Sequence, residues 1–480
     1  MTSTEVIWYV FMAAGVLLAL GNWRAAVYAG LLVDVLRDPV RKLIPMQPVL
    51  ITLSGAALWL VIVLSAVLQE RSDLRAMFRS YGRLRTSWHL LLIALLPAAG
   101  VSVISYQRGW IMASIGAASY LIPALGIAAG FAVARKPDAV VSILRFYVVV
   151  NAVMLFGVIL EYLNADIPGL GGIDMVWIRY RPGYIVNLMS GWYRSPDIMG
   201  LHAAHVIMFS LLLAVVEKDA RRGVWLGPAV WAAVCILLSG RRKMIGIPLI
   251  FLSVYLLLGL LLRVTRISRL AGVFLLSVLI SGAVLLFVWV PDEASNYTEY
   301  AASLFTEGGG RANDLILVGT IYTLKQSGII GAGLGTATQG RYYANIGTGE
   351  YGGWQEDGIS RLFLEFGLPG VLLLSCALIV LLSTLLGCLN RLPPKSRLIL
   401  LQLGLFGVVV GNAASYAISH QQFSGDPVNA LMVTMVVGMV LRLPLQRSDS
   451  RTSLNTDVST VDPEISGVNS KLTTAAGSPG

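Results

Sequence analysis

Long apolar runs, each broken by a short polar segment, dominate the first 445 positions of this chain. Their approximate bounds are 6–20, 24–36, 48–68, 88–105, 110–134, 139–162, 196–217, 224–240, 244–262, 270–290, 367–388, 398–418 and 427–442. Crossing a hydrocarbon core takes ~20 residues of helix. In lipid the backbone must satisfy its own hydrogen bonds, so these runs are expected to be helices. The second run is short and carries Asp34, so it reads as a half-span or a packed re-entrant piece. The expected fold is an all-α polytopic membrane protein, a bundle of 12–13 transmembrane helices.

Composition agrees. Hydrophobic residues make up 56% of the chain and charged residues 13%, with mean hydropathy +0.74. A soluble chain averages ~25% charged, so this one cannot coat a water-facing surface of ordinary size. The run Val6–Leu20 follows no basic segment, and Gly21-Asn22-Trp23-Arg24 is not a small-residue cleavage site, so no cleaved signal peptide is expected.

The net charge of +10 is distributed by topology rather than for nucleic acid. Short loops rich in Lys and Arg face the cytoplasm. Segments 69–87, 218–223, 263–269 and 389–397 hold most of the short-loop cations and fall on one side. Loops 163–195 and 291–366 then lie outside. Arg37, Arg41 and Lys42 are ambiguous, and Arg241-Arg242-Lys243 breaks the rule from the outer side. Residues 1–445 form one membrane domain. Residues 446–480 hold 12 Ser or Thr in 35 positions and few large apolar side chains. They are expected to be a disordered cytoplasmic tail.

Three outer segments carry candidate chemistry. Leu238-Ser239-Gly240-Arg241-Arg242-Lys243 puts three cations where two helices meet. They either snorkel to headgroups or bind an anion, since Arg presents a planar fork of donors to phosphate. Loop 163–195 interleaves Arg179, Arg181 and Arg194 with Trp177, Tyr180, Tyr184, Trp192 and Tyr193. That pattern suits an interfacial aromatic belt or stacking on sugar rings beside phosphate. Loop 291–366 opens with Gly308-Gly309-Gly310-Arg311, and helical spacing predicts a helix from Asn313 to about Gln326, stopped by Gly328. Gly331-Ala332-Gly333-Leu334-Gly335 follows. It lacks the strand and βαβ setting of a dinucleotide fingerprint. Glu356-Asp357-Gly358-Ile359-Ser360-Arg361 and Glu365 close the loop.

His202 and His205 share one helix without a third ligand nearby, so packing is their expected role and no metal site is expected. His420, beside Gln421 and Gln422, is expected to line an external cavity. Cys235, Cys376 and Cys388 sit in apolar runs, with no metal or disulfide spacing.

At these loops the chain resembles the bacterial O-antigen polymerase and ligase superfamily. Ser190-Gly191-Trp192-Tyr193-Arg194-Ser195-Pro196-Asp197-Ile198-Met199-Gly200 is similar to the family's Ser-Gly-Thr-Phe-x-Asn-Pro-Asn-x-x-Ala stretch. Leu238-Ser239-Gly240-Arg241-Arg242 resembles its Thr-x-Ser-Arg-Gly. Arg311 followed by Gly331-Ala332-Gly333-Leu334-Gly335 resembles its Arg, helix and Gly-x-Gly-x-Gly. Leu364-Glu365-Phe366-Gly367-Leu368-Pro369-Gly370 resembles its Glu-x-Gly-x-x-Gly. The likeness spans roughly 185–385. The family's ligases carry a His-Asn pair before that last motif. Here Gln355-Glu356-Asp357-Gly358-Ile359-Ser360-Arg361 has no His, which favours polymerase over ligase.

The resemblance implies a large, partly helical periplasmic loop, location in the bacterial inner membrane, and glycosyl transfer on the periplasmic side. No metal, cofactor or nucleotide sugar is expected. The donor would be an undecaprenyl-diphosphate-linked glycan, and the acceptor a hydroxyl of another lipid-linked unit, or a lipid or protein if the chain were a ligase. A flippase and a chain-length regulator are the expected partners besides the bilayer. Arg194, Arg241 and Arg242 would bind diphosphate, with Arg311 stabilising the developing charge. Trp192, Tyr193 and Arg361 would hold glycan, and Glu356 or Asp357 would be the base. Two other classes compete. A flippase would place charges at the midplane of several spans and show a repeat, whereas mainly Asp34, Arg145 and Glu161 stand within spans and no repeat is evident. A non-enzymatic scaffold would not need clustered outer Arg.

Overall fold

The computed structural model describes residues 2–173, 176–217, 223–264, 291–338, 355–394 and 396–446. Helices α1 (Ser3–Gly21), α2 (Trp23–Leu43), α3 (Val49–Gln69), α4 (Arg71–Ser80), α5 (Gly82–Ser105), α6 (Gly109–Val133) and α7 (Pro137–Tyr162) come first. A hairpin of β1 (Ile178–Arg181) and β2 (Tyr184–Asn187) precedes α8 (Pro196–Val216), α9 (Leu226–Leu238) and α10 (Arg242–Leu261). The rest comprises α11 (Pro291–Asn313), α12 (Gly319–Ser327), α13 (Gly358–Leu389), α14 (Arg397–Ile418), α15 (Gln421–Ser424) and α16 (Pro427–Arg442). Among the described residues ten helices are long and apolar enough to cross a membrane. The chain is an all-α polytopic membrane protein. The span expected at 270–290 and the tail beyond Gln446 lie outside the described residues.

Helix starts follow local chemistry. Ser195 accepts from the Ile198 amide at 3.4 Å, and Pro196 supplies the first helical φ of α8. Asp426 does the same for α16 through the Val428 amide at 3.2 Å, followed by Pro427. Asp357 caps α13 through the Ser360 amide at 2.7 Å.

The second apolar run is not among the ten helices apolar enough to cross a membrane, but it is not short. It forms α2, a helix of 21 residues, about 31 Å long at 1.5 Å per residue. Its charges made it look short, but Asp34, Arg37 and Asp38 are all buried against neighbouring elements. α8 is the hub of the bundle, buried along nearly its whole length among α7, α9, α10 and α14.

Two faces emerge from side-chain pairings. On one, Arg24 pairs with Glu70, Arg145 with Glu217, and Arg442 with Asp73. The basic segments 69–87, 263–264 and 389–397 gather there, as far as they are described. On the other lie the hairpin, the α9–α10 junction, α11, α12 and the start of α13. Arg41 reaches Thr52 at 3.3 Å on this second face. Lys42 donates to the Gly191 and Tyr193 carbonyls at 2.9 and 2.7 Å, which removes the ambiguity about its side. This second face is called the loop face below.

Two local expectations change. Loop 163–195 contains strands: Arg179-Tyr180-Arg181 and Tyr184-Ile185-Val186 pair across Pro182-Gly183, where Gly183 takes φ 88° as the turn requires. The helix expected from Asn313 starts at Pro291 instead and runs through Gly308-Gly309-Gly310. It continues through a π-helical stretch, Asp314–Val318, into α12 and stops at Gly328 with φ 71°, as expected. Hydrogen bonding along the uninterrupted helix overrides three weak glycine propensities of ~1 kcal/mol each.

Candidate functional site

The cations at the start of α10 do not stand alone. Arg241 and Lys243 both pair with Asp197, in the first turn of α8, at 2.9 and 2.8 Å. The Arg241 guanidinium also covers the Trp177 ring at 4.9 Å. Burial lowers the Arg241 pKa, the charge of Arg179 adds to this, and Asp197 opposes it. Arg242 bonds Ser303 at 2.6 Å and Glu307 at 2.9 Å, both on α11. Arg181 of β1 shares Glu307 at 2.7 Å, and both arginines lie over the Tyr300 ring at 5.1 and 4.8 Å. Those hydrogen bonds hold the Glu307 carboxyl below its usual range. Three basic side chains of one sequence run thus join the hairpin, α8 and α11, and with Arg179 and Arg181 they gather five cations around the paired carboxylates Asp197 and Glu307, with Glu299 and Glu356 nearby.

Arg311 and Glu356 meet beside this patch at 3.6 Å, with side chains 58% and 50% exposed. Glu356 adds to the field at Arg241, so the pair and the patch share one neighbourhood. Glu356 is positioned from below. His420 donates its backbone N–H to the Glu356 carbonyl at 3.1 Å, and its ring Nε2 lies 2.8 Å from the Gln355 carbonyl. The imidazole is buried against this turn rather than lining an open cavity.

Four other expected site residues are committed to internal roles. Asp357 is fully buried as the α13 cap, and burial raises its pKa. Arg361 faces Glu365 at 3.7 Å. Arg361 is itself buried, with its guanidinium over the Tyr120 ring at 5.1 Å and a hydrogen bond to Ser119 at 3.3 Å. Tyr120 in turn donates to Glu365 at 2.5 Å. Tyr193 is buried, bonded to Asn151 at 3.0 Å and stacked on His202 at 5.1 Å. Neither Arg361 nor Tyr193 offers a face to an external glycan in this structure. Trp192 is half-buried and wedged against Gly157 of α7.

Arg194 belongs to a buried ionic lock. Its guanidinium bonds Asp426 at 2.6 Å and Asp38 at 3.4 Å. Arg37 joins Asp426 as well, and reaches Asp34 at 2.6 Å. Burial raises the Asp426 pKa, but Arg37 and Arg194 outweigh it and hold it low, at about 2. Two arginines against three carboxylates leave no spare positive charge for diphosphate here. Glu161 secures the same loop by accepting the Ser190 and Gly191 amides at 2.8 and 2.5 Å.

Asp197, Glu307 and the Asp38–Asp426 lock were not visible as site residues. Asp197 read only as part of a motif, and Glu307 was not singled out. Their partners come from segments tens to hundreds of positions away. The expected structural use of the paired histidines agrees with the contacts. Tyr147 Oη lies 2.7 Å from His202 Nδ1 and 3.2 Å from His205 Nδ1, and His205 Nε2 meets Asn412 at 2.9 Å. Compared with known proteins, the chain matches no family model and no curated protein.

Proposed function

We propose that this chain is a membrane glycosyltransferase that polymerises lipid-linked oligosaccharides, with the loop face in the periplasm of a bacterial inner membrane. The carrying observation is the exposed Arg311–Glu356 pair at the rim of a cationic, aromatic patch. In this reading the acceptor hydroxyl attacks the anomeric carbon of the donor glycan. The bond from that carbon to diphosphate oxygen breaks, and undecaprenyl diphosphate departs with both electrons. Glu356 takes the hydroxyl proton, which requires the carboxylate within about 3 Å of it. Arg242, Arg241 and Arg311 stabilise the charge building on the leaving group. Trp177 and Tyr300, already under guanidinium groups, give the patch apolar ring surface beside its charge.

The test is the lipid-linked intermediate. Deletion is expected to leave single repeat units on undecaprenyl diphosphate and no polymer, with activity restored by wild type but not by Glu356→Gln. Normal polymer after deletion, or full rescue by Glu356→Gln together with Arg311→Ala, overturns the reading. The buried Asp34–Arg37–Asp426–Arg194 lock favours a second reading, transport of the lipid-linked glycan, because charges inside a bundle commonly line translocation paths. Loss of a transporter strands the units on the cytoplasmic leaflet instead.

A further inference from the structure

The glycine-rich segment after α12 is not on the surface. Gly331 packs on the Gly367 backbone, Gly333 on Ser102 of α5, and Gly335 on Met112 of α6, each with φ between 85° and 101°. A Cβ on Gly333 or Gly335 would lie 2.5 Å or 2.3 Å from its neighbour. The backbone between them is hydrogen-bonded to membrane helices. The Ala332 amide reaches Leu364 O at 2.7 Å, and the Leu334 amide reaches Ala98 O at 2.9 Å. Ser102 Oγ donates to Leu334 O at 2.8 Å. Ala98 lies seven residues before the end of α5 at Ser105, and Gly116, against Gly335, lies seven after the start of α6 at Gly109. Both separations put the segment about 10 Å below the helix ends. Non-helical backbone at membrane depth is tolerated where protein satisfies it, and here protein does.

Just before this wedge, Ile329 and Ile330 are 69% and 67% exposed. They sit at the Gly367 kink, where the Leu368 amide bonds Ile329 O at 2.8 Å. From Leu368 onward α13 carries an exposed apolar stripe of Leu372, Ile379 and Leu386. Upstream, Leu317, Val318, Ile321 and Tyr322 are exposed on one stripe of the helix, with Asp314 and Lys325 at its two ends. A polar-ended apolar stripe with an aromatic is the pattern of an interfacial helix.

We propose that residues 314–335 are a re-entrant element embedded in the bilayer, with Leu317, Ile321, Ile329 and Ile330 in contact with lipid hydrocarbon on the loop face. The occupant is identified by continuity: the isoleucine pair extends the lipid-facing stripe of α13 without a break. The element therefore holds Arg311, at its upstream end, at headgroup level. It does so whether or not the chain transfers glycans, because lipid contact is read independently of any activity.

The full chain, with Cys235, Cys376 and Cys388 replaced by Ala, is reconstituted into phosphatidylethanolamine–phosphatidylglycerol vesicles. Nitroxide labels are placed at Leu317→Cys, Ile321→Cys and Ile330→Cys, with Ile379→Cys as lipid reference and Thr306→Cys as water reference. The ratio of oxygen to nickel-chelate accessibility at the three test sites is expected to approach that at Ile379 and to exceed that at Thr306 several-fold. Ratios matching Thr306 would place the segment in water and overturn the inference. Shielding from both reagents would mean a protein partner or second copy covers it, which also overturns it. If Ile330→Cys fails to fold, the two labels on the exposed helix stripe decide the same question.

Discussion

His420 holds the carbonyl of Gln355 with its ring Nε2 at 2.8 Å, and so fixes the turn that carries Glu356. A carbonyl only accepts, so Nε2 bears the hydrogen, and Nδ1 accepts from the Ser424 hydroxyl at 2.5 Å. Burial, with the nearby charges of Arg361 and Lys243, lowers the His420 pKa to about 3, which makes the ring neutral and lets Nδ1 accept from that hydroxyl.

The depressed His420 pKa makes stability depend on acid pH. The unfolded chain binds a proton here below the ordinary value of 6.5, while the folded chain resists it down to about 3. Stability from this group is present in full above pH 6.5 and falls as pH drops through that window. Lowering pH from 7.5 to 5 is expected to reduce the thermal midpoint of the micelle-solubilised protein. The reduction should be smaller in His420→Gln, which does not titrate and keeps a donor for Gln355. An equal reduction in both proteins would show that His420 does not titrate this way.

Asp357 and Glu356 are adjacent but should behave differently on substitution. Asp357→Ala removes a buried helix cap, at a cost of about 1 kcal/mol, so protein stability falls and polymer declines only in step with protein. Glu356→Gln leaves an exposed side chain of the same shape. It is expected to abolish polymer at a normal thermal midpoint. Parallel measurement of midpoint and polymer per molecule separates the two outcomes.

Removing Asp426 leaves the Arg37 and Arg194 guanidiniums short of their shared carboxylate in a buried site. Breaking a buried pair from one side typically costs about 3–5 kcal/mol. Asp426→Ala is expected to lower the thermal midpoint sharply and reduce membrane levels. Arg242→Lys, at the half-buried surface patch, is expected to keep stability and lose polymer, because it loses the planar fork. A stable, active Asp426→Ala protein would remove the structural reading of the lock.

Sidedness can be read from two exposed positions. Thr306 lies on α11 at the loop face, and Ser72 on α4 at the opposite face. In cells with a permeabilised outer membrane, Thr306→Cys should react with a membrane-impermeant maleimide, and Ser72→Cys only after lysis. The reverse pattern would turn the bundle over.

The apolar runs by themselves determined the fold class and most helix bounds, and the loop cations the common face of 69–87 and 389–397. These are local properties: span length, capping residues and loop charge are written within ~20 positions and need no partner. The family resemblance also named Arg241, Arg242, Arg311 and Glu356, which lie in one neighbourhood of the structure. Which of the candidates face water was decided only by tertiary structure. Tyr193 and Arg361 looked like Arg311 and Trp177 in sequence, yet they are buried by Asn151, His202, Tyr120 and Glu365. α2 looked like half a span because its charges carry a penalty in lipid, one that Asp426 and Arg194 offset from 389 and 156 positions away. The Gly331–Gly335 segment looked like a surface loop, and its burial depends on Ser102, Ala98 and Gly367. Burial and pairing are set by residues distant in sequence, so no local pattern encodes them.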